Sequence, residues 1–158
     1  MSNTSAHDTA TTAGIQKAIF FKILVAIDGS DASMHAADYA ASLSKQYNAE
    51  LYALYVIRAD VDLFGVHPNS EYTTTMKNEG EKYLDKVKLK ANEKNIQIKT
   101  QIIASINISG GIVDFAEENN IDLIVIGTRG RSGFKKLLLG SVASHIVTYA
   151  HCHVLVVK

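Results

Sequence analysis

A glycine-punctuated basic segment near the end of the chain has the residue types that bind anions. Residues 127–141 read GTRGRSGFKKLLLGS and follow the apolar run of residues 123–126. A strand, a cationic loop and a helix start in that order present backbone N–H groups, and the helix dipole there favours negative charge. The segment therefore predicts a site for a phosphate or another small anion.

Glycines, a serine and cations each contribute to this predicted site. Gly127 and Gly130 allow positive φ and close approach of a ligand, and Gly140 does the same just before the helix. Ser141 can cap that helix, and its hydroxyl and N–H can contact a phosphate oxygen. A turn that only joins a strand to a helix is the alternative. The second glycine group and four cations favour binding: Arg129, Arg131, Lys135 and Lys136.

The charge of the whole chain limits the kind of partner. Among 158 residues, 16 basic and 16 acidic side chains cancel, so no global field attracts nucleic acid or a membrane. Basic residues concentrated on one loop of a neutral protein suit a small anion better than a long polyanion. We therefore expect no nucleic-acid or membrane partner.

Length and cysteine content indicate one domain in a reducing compartment. Cys152 is the single cysteine, which excludes an internal disulfide and suggests a small buried residue. Residues 1–18 are rich in Ser, Thr and Ala and lack the apolar core of a signal peptide, which predicts a disordered tail. No apolar run is long enough to cross a membrane. We expect one domain over residues 19–158 and a cytoplasmic location.

Five apolar runs alternate with four helical patterns, which predicts an α/β fold with a parallel sheet covered by helices on both faces. Strands are predicted at residues 19–27, 51–57, 96–103, 123–126 and 154–157. The third run alternates between apolar and polar residues, as is typical of an edge strand. A helix capped by Ser30 or Asp31 follows the first strand, and another begins at Ser109 or Gly110. The last helix, residues 141–150, is predicted to bury three side chains: Val142, Ile146 and Tyr149.

The predicted architecture would bring an acid to the glycine loop. In open α/β sheets, ligands bind at the carboxyl ends of the strands where the strand order reverses. Asp28 ends the first strand and Gly127 ends the fourth, so both face one crevice if these strands are neighbours. Asp28 can act there as a general base, a metal ligand or only a helix cap, and its position favours binding.

Several catalytic arrangements are not supported. The chain has neither GxxxxGK[ST] nor GxGxxG after its first strand, which argues against a Walker-type NTPase and a dinucleotide-binding domain. His145 follows Ser141 by one helical turn, but a Ser–His nucleophile also needs an orienting acid and an oxyanion hole. His151 and His153 make a partial metal pair on one strand face, although surface or interface roles are the simpler interpretation. We predict no catalytic residues, and hydrolysis of a bound phosphate compound, if any, should be slow.

The spacing Gly127-x2-Gly130-x9-Gly140-Ser141 resembles the nucleotide motif of the ATP-binding branch of the universal stress protein family. KILVAIDGSDAS at residues 22–33 is similar to that family's first strand and turn, and the final VLVVK is similar to its last strand. The resemblance covers everything except the tail. It implies strand order 3-2-1-4-5, an adenine nucleotide alpha hydrolase-like fold, and ATP bound with Mg2+ or Mn2+.

The resemblance also implies roles for individual residues. Asp28 would contact the ribose or the metal, Ala26 would line the adenine side, and the Val56 backbone would hydrogen-bond the adenine. Ile126 and Gly127 would lie against the ribose and the base. The phosphates would be held by the rest of the motif and the first helical turn: Gly130, Gly140, Ser141, Val142 and Ala143.

Two positions depart from the family pattern. His153 stands where the family often has proline, and Arg129 and Arg131 make the loop more basic than in many relatives. The extra charge would strengthen phosphate binding or indicate another anionic nucleotide, such as cyclic AMP. We expect a nucleotide-responsive stress protein that forms a homodimer through its apolar last strand, with a slow ATPase or phosphotransferase at the same site as the alternative.

Overall fold

The structure is a computed structural model that describes residues 19–59, 71–128 and 139–158. Strands and helices alternate along these ranges. The elements are β1 (Lys22–Ala26), α1 (Asp31–Tyr47), β2 (Glu50–Arg58), α2 (Glu71–Glu93), β3 (Ile98–Ser105), α3 (Ile108–Glu118), β4 (Leu123–Gly127), α4 (Ser141–Tyr149) and β5 (His153–Val157).

The five strands form one sheet in the order β3-β2-β1-β4-β5, and every neighbouring pair is parallel. β1 is central, with Ala26 opposite Leu54 of β2 and Val25 opposite Val125 of β4. The strand order reverses between β1 and β4. The predicted fold class, strand order and edge position of the third strand are confirmed.

Helices cover both faces of the sheet and form two apolar layers. Ile23 and Val25 of β1 pack with α1 and α2 on one face, whereas Leu24 packs with α3 and α4 on the other. Both faces of β1 are thus buried, which explains the nearly continuous apolar run in the sequence. Ala36 and Ala40 of α1 are fully buried, and their small side chains let the helix lie close to the sheet.

Two helices begin with a polar side chain that accepts a backbone N–H. Ser30 caps α1, with its Oγ 3.2 Å from the N of Ser33. Asn107 caps α3, with its Oδ1 3.2 Å from the N of Gly110. Of the two caps predicted for α1, Ser30 and Asp31, the structure shows Ser30. The prediction that α3 begins at Ser109 or Gly110 is wrong, because Asn107 caps the helix and α3 begins at Ile108.

The predicted strand bounds differ from the observed ones at several ends. The first strand was expected to begin at Ile19, but Ile19 and Phe21 are 61% and 63% exposed and β1 begins at Lys22. The backbone N–H groups of Phe21 and Lys22 both donate to the Asp122 carboxylate at 2.8 Å. This side chain fixes the point at which the chain enters the sheet, which apolar periodicity does not show.

The buried face of α4 also differs from the prediction. Val142 and Tyr149 are 38% and 58% exposed, whereas Ala143 and Ile146 are buried. Ala143, Ile146 and Ala150 follow one another at helical spacing on the apolar layer shared with α3. The small Ala143, rather than Val142, therefore lies toward the sheet.

Lys99→Met is expected to raise the pKa of Glu50 toward its usual range. Lys99 Nζ lies 2.8 Å from Glu50 Oε2, and this hydrogen bond, with a second from Tyr52, lowers the pKa of that carboxyl. Because the folded-state pKa lies below the unfolded value of about 4.3, the pair stabilises the fold above that pH. Its contribution is lost as the pH falls through the folded-state pKa.

Carboxyl NMR titration of Glu50 measures this effect. Lys90→Met is the control, because Lys90 pairs instead with Asp38 at 3.3 Å. An unchanged Glu50 pKa in Lys99→Met would contradict the prediction.

Candidate functional site

A cavity of about 340 Å³ opens at the carboxyl edge of the sheet, where the strand order reverses. The ends of β1, β2 and β4 form its floor. The first turns of α3 and α4 and the beginning of α2 supply its walls. Its position is the one expected for a ligand site in an open α/β sheet.

Nine of the predicted site residues line this one cavity. They lie in or next to three strands and one helix that are distant in sequence: Ala26, Asp28, Val56, Ile126, Gly127, Gly140, Ser141, Val142 and Ala143. The structure therefore brings together every predicted site residue that it describes. Arg129, Gly130 and Arg131 lie outside the described residues.

Other cavity residues were not predicted from the sequence. They extend the same strand and helix ends or come from α2 and α3: Ile27, Ser33, Leu54, Tyr55, Ile57, Arg58, Tyr72, Met76, Ile108, Ile112 and Thr128. Arg58 could have been found, because it is the polar residue at the end of a buried parallel strand. Tyr72 and Met76 lie one turn apart on α2. The sequence does not show how that helix is oriented relative to the cavity.

The N-terminus of α4 faces the cavity without a side-chain cap. Gly140 is the N-cap residue in an extended conformation (φ −69°, ψ 161°), and as a glycine it makes no side-chain cap hydrogen bond. Ser141, predicted as the cap, is instead the first helical residue. The N–H groups of the first helical turn have no acceptor within their own helix. α1 and α3 are capped by the side chains of their N-cap residues, whereas α4 has no such cap within the described part of the chain.

The backbone of Val56 also points toward the cavity. Leu54 O accepts from Ile27 N at 2.8 Å, and Ala59 N donates to Ser105 O at 2.9 Å. In β2 the even-numbered residues therefore direct their backbone groups toward β1 and the odd-numbered ones toward β3. The β1–β2 pairing ends at Ala26 and Leu54. The N–H and C=O of Val56 thus point to the side of β2 from which β1 has turned away.

Asp28 lines the cavity and also shapes the turn between β1 and α1. Its Oδ1 accepts from Ser30 N at 2.9 Å and from Ser30 Oγ at 2.6 Å, and its own N–H donates to Ser33 Oγ at 3.3 Å. Gly29, which lies between Asp28 and Ser30, has φ of 82°. The side chain of Asp28 is therefore held in one orientation at the cavity wall, and the helix cap itself is Ser30.

The structural reason for glycine at position 127 differs from the predicted one. Gly127 does not have positive φ. A Cβ at this position would lie 2.8 Å from the C and Cβ of Ala32 and 2.9 Å from its O. The close approach that requires glycine is thus the packing of β4 against the start of α1.

Comparison with known proteins identifies the family. The family model for the universal stress protein family matches residues 20–158. The chain belongs to the universal stress protein family. A universal stress protein of Methanocaldococcus jannaschii is 41% identical over 89% of this chain and 83% of its own length. Universal stress protein YxiE of Bacillus subtilis is 41% identical over 89% of this chain and all of its own length.

Solved structures of universal stress proteins share the fold. UspA from Lactobacillus plantarum is 28% identical, with a TM-score of 0.76 over 87% of this chain and 97% of its own. Three more distant neighbours, at 24%, 21% and 18% identity and TM-scores of 0.64, 0.67 and 0.64, carry adenine nucleotides. They are a universal stress protein with cAMP, one from Archaeoglobus fulgidus with dAMP, and one from Arabidopsis thaliana with AMP.

The histidines of this universal stress protein have separate neighbours. His151 Nε2 lies 3.4 Å from Glu117 Oε2, the His153 ring lies 5.8 Å from that of Phe20, and His145 stacks on Tyr149 at 4.4 Å. No group of three His, Cys, Asp or Glu side chains gathers within the described ranges.

Cys152 is half-buried rather than buried, and burial raises the pKa of its thiol. None of the described helices is long and apolar enough to cross a membrane.

Proposed function

We propose that this universal stress protein binds ATP and acts in the cytoplasm as a nucleotide-responsive regulatory module. The observation that carries the proposal is the pairing of an uncapped helix N-terminus with an open strand backbone in one cavity. The α4 N-terminus supplies donors for phosphate, and the Val56 backbone supplies a donor and an acceptor for a base.

The phosphate end follows from the geometry of α4. Ser141, Val142 and Ala143 form its first turn, and all three line the cavity. Their N–H groups and the positive end of the helix dipole stabilise negative charge. The cations predicted for the adjoining loop, Arg129 and Arg131, add to this stabilisation.

The base would lie beside Val56, where the cavity lining belongs to the apolar cluster shared with α3. Leu54, Ile112 and Ile126 line the cavity with aliphatic groups that suit the faces of a purine. One backbone N–H and one C=O on the same strand edge match the neighbouring acceptor and donor of adenine. The solved neighbours that carry cAMP, dAMP and AMP support an adenine ligand for this fold.

Asp28 fits a magnesium or manganese ion that arrives with the nucleotide. Mg2+ commonly binds one or two carboxylates together with substrate phosphates and several waters. Asp28 is a carboxylate on the wall of the same cavity, so it would hold the ion against the phosphates. The ion would neutralise phosphate charge. We therefore expect no measurable Mg2+ binding in the absence of nucleotide.

Calorimetry with ATP, AMP and cyclic AMP, each with and without Mg2+, tests the proposal. We expect ATP with Mg2+ to bind most tightly, and mass spectrometry to find ATP released from gently purified protein. Tighter binding of cyclic AMP would indicate a different ligand, and no binding of any of the three would overturn the proposal.

The regulatory role is separable from an enzymatic one. Phosphate binding by residues 127–140 would change a surface that a partner protein or a second subunit contacts. Fast hydrolysis would require a positioned nucleophile in addition to charge stabilisation. Steady-state phosphate release at about one per second or faster would show an enzyme instead.

We also propose a homodimer through β5, and Val156→Pro is expected to weaken it. β5 pairs only with β4 among the described strands. Thr128 N donates to Val157 O and His153 N donates to Asp122 O, so the odd-numbered residues of β5 face β4. The N–H of Val156 therefore faces the open edge, where proline is tolerated.

Sedimentation velocity measures this effect on the dimer. We expect a dimeric wild type and a shift to monomer in Val156→Pro with far-UV circular dichroism unchanged. A wild type that is monomeric at all concentrations would contradict the homodimer.

A further inference from the structure

An aromatic ring of α2 that lies outside the cavity packs against the turn that carries Asp28. Gly29 follows Asp28 with φ of 82°, and a Cβ at that position would overlap the ring atoms of Tyr83. The ring therefore lies directly against the backbone of Gly29. Tyr83 itself does not line the cavity.

The ring of Tyr83 is held in place on several sides. Its hydroxyl donates to Glu79 Oε1 at 3.1 Å, one turn earlier on α2. The ring centroid lies 6.3 Å from that of Tyr55, which is 4% exposed, and Lys86 Nζ lies 5.9 Å from the ring. Tyr83 is thus anchored to the interface between α2 and β2, so the surface that it presents to Gly29 is rigid.

We propose that Tyr83 is a positioning residue for nucleotide binding. Its ring holds the Gly29 turn, and the turn holds the Asp28 carboxylate at the cavity wall through the hydrogen bonds from Ser30. The inference rests on the ATP-binding function proposed above. It adds a residue outside the cavity that acts on the ligand only through Asp28.

Removal of the ring is expected to release the turn. Glycine adopts positive and negative φ almost equally well, so without Tyr83 the Asp28–Ser30 turn samples other conformations. The apparent affinity then falls in proportion to the fraction of molecules with Asp28 in place. If about one molecule in ten keeps the turn, Tyr83→Ala weakens ATP binding about tenfold.

A double-mutant cycle separates this role from a merely structural one. ATP dissociation constants are measured for wild type, Tyr83→Ala, Asp28→Asn and the double variant. We expect Tyr83→Ala to weaken binding about tenfold in the wild-type background and less than about twofold with Asp28→Asn, because the two residues act as one unit. Equal factors in both backgrounds, or no effect of either variant, would overturn the inference.

Two further variants test the ring itself. Tyr83→Phe removes the hydroxyl that donates to Glu79 but keeps the ring that contacts Gly29, so we expect ATP binding within about twofold of wild type. Leu84→Ala is the control for general destabilisation, because Leu84 is the next residue on α2 and is buried in the hydrophobic core. It should lower thermal stability without changing the ATP dissociation constant.

Amide hydrogen exchange of Ser30 tests the positioning role without nucleotide. Ser30 N–H donates to Asp28 Oδ1, so exchange should be faster in Tyr83→Ala and unchanged in Tyr83→Phe. If the wild type binds no ATP, the proposed function fails while this measurement still decides whether Tyr83 holds the turn. Unchanged Ser30 exchange in Tyr83→Ala would overturn the positioning role even in a protein that binds ATP.

Discussion

Ser141→Pro is expected to weaken ATP binding about 10- to 100-fold, because it removes one N–H that, in the proposed function, would donate to a charged phosphate. Proline is well tolerated as the first residue of a helix, where its missing N–H has no partner in the helix. The residue before it must be extended, and Gly140 already has φ −69° and ψ 161°. The variant should therefore fold normally while the N-terminus of α4 loses a donor. Calorimetry gives the affinity and thermal unfolding checks the fold.

Asp31→Pro is a matched control for this variant. Asp31 is also the first residue of its helix, and Ser30 before it has φ −71° and ψ 155°. Asp31 does not line the cavity. We expect ATP affinity to be unchanged and stability to fall by about 0.3–1 kcal/mol from the lost acid at the helix N-terminus. Ser141→Ala is a second control, because it removes only the hydroxyl and keeps the backbone N–H. A wild-type affinity in Ser141→Pro would show that α4 does not bind the phosphates.

Gly127→Ala is expected to lower the free energy of unfolding by about 1–3 kcal/mol, the usual cost of overpacking a close contact. The added Cβ would lie 2.8–2.9 Å from backbone and Cβ atoms of Ala32, and backbone cannot move aside as a flexible side chain can. The start of α1 must therefore shift away from β4. Urea unfolding measures the change.

Gly110→Ala is the control with the opposite sign. A Cβ there would meet Asn107 Cβ at 3.5 Å, an ordinary contact, in the first turn of α3. Alanine is the better helix former, so stability should rise by about 0.4–1 kcal/mol. Equal stability changes in the two variants would contradict the packing role of Gly127.

The fold was largely predictable because burial on both sheet faces leaves a strong apolar signal. The central strand β1 reads as a nearly continuous apolar run, and the exposed edge strand β3 alternates. The ends of elements were less predictable because they depend on single polar contacts. The Asp122 carboxylate fixes the start of β1, and Asn107 fixes the start of α3.

Part of the cavity lining could be predicted from the sequence, but its arrangement could not. The spacing from Gly127 to Ser141 pointed to a phosphate site, and all described members of the predicted set line one cavity. Tyr72 and Met76 were missed because side chains from α2 reach the cavity only after the helices have packed, whereas Arg58 was overlooked although it ends a buried strand.

The sequence by itself determined the alternation of strands and helices, the parallel sheet and the segment that begins α4, because these depend on local periodicity and turn chemistry. Only the tertiary structure decided why position 127 requires glycine and which ring contacts the turn at Gly29. Each of these depends on an approach between elements distant in sequence, such as β4 with α1 and α2 with the Gly29 turn. Local propensities do not encode such distances, which arise when the two apolar layers pack.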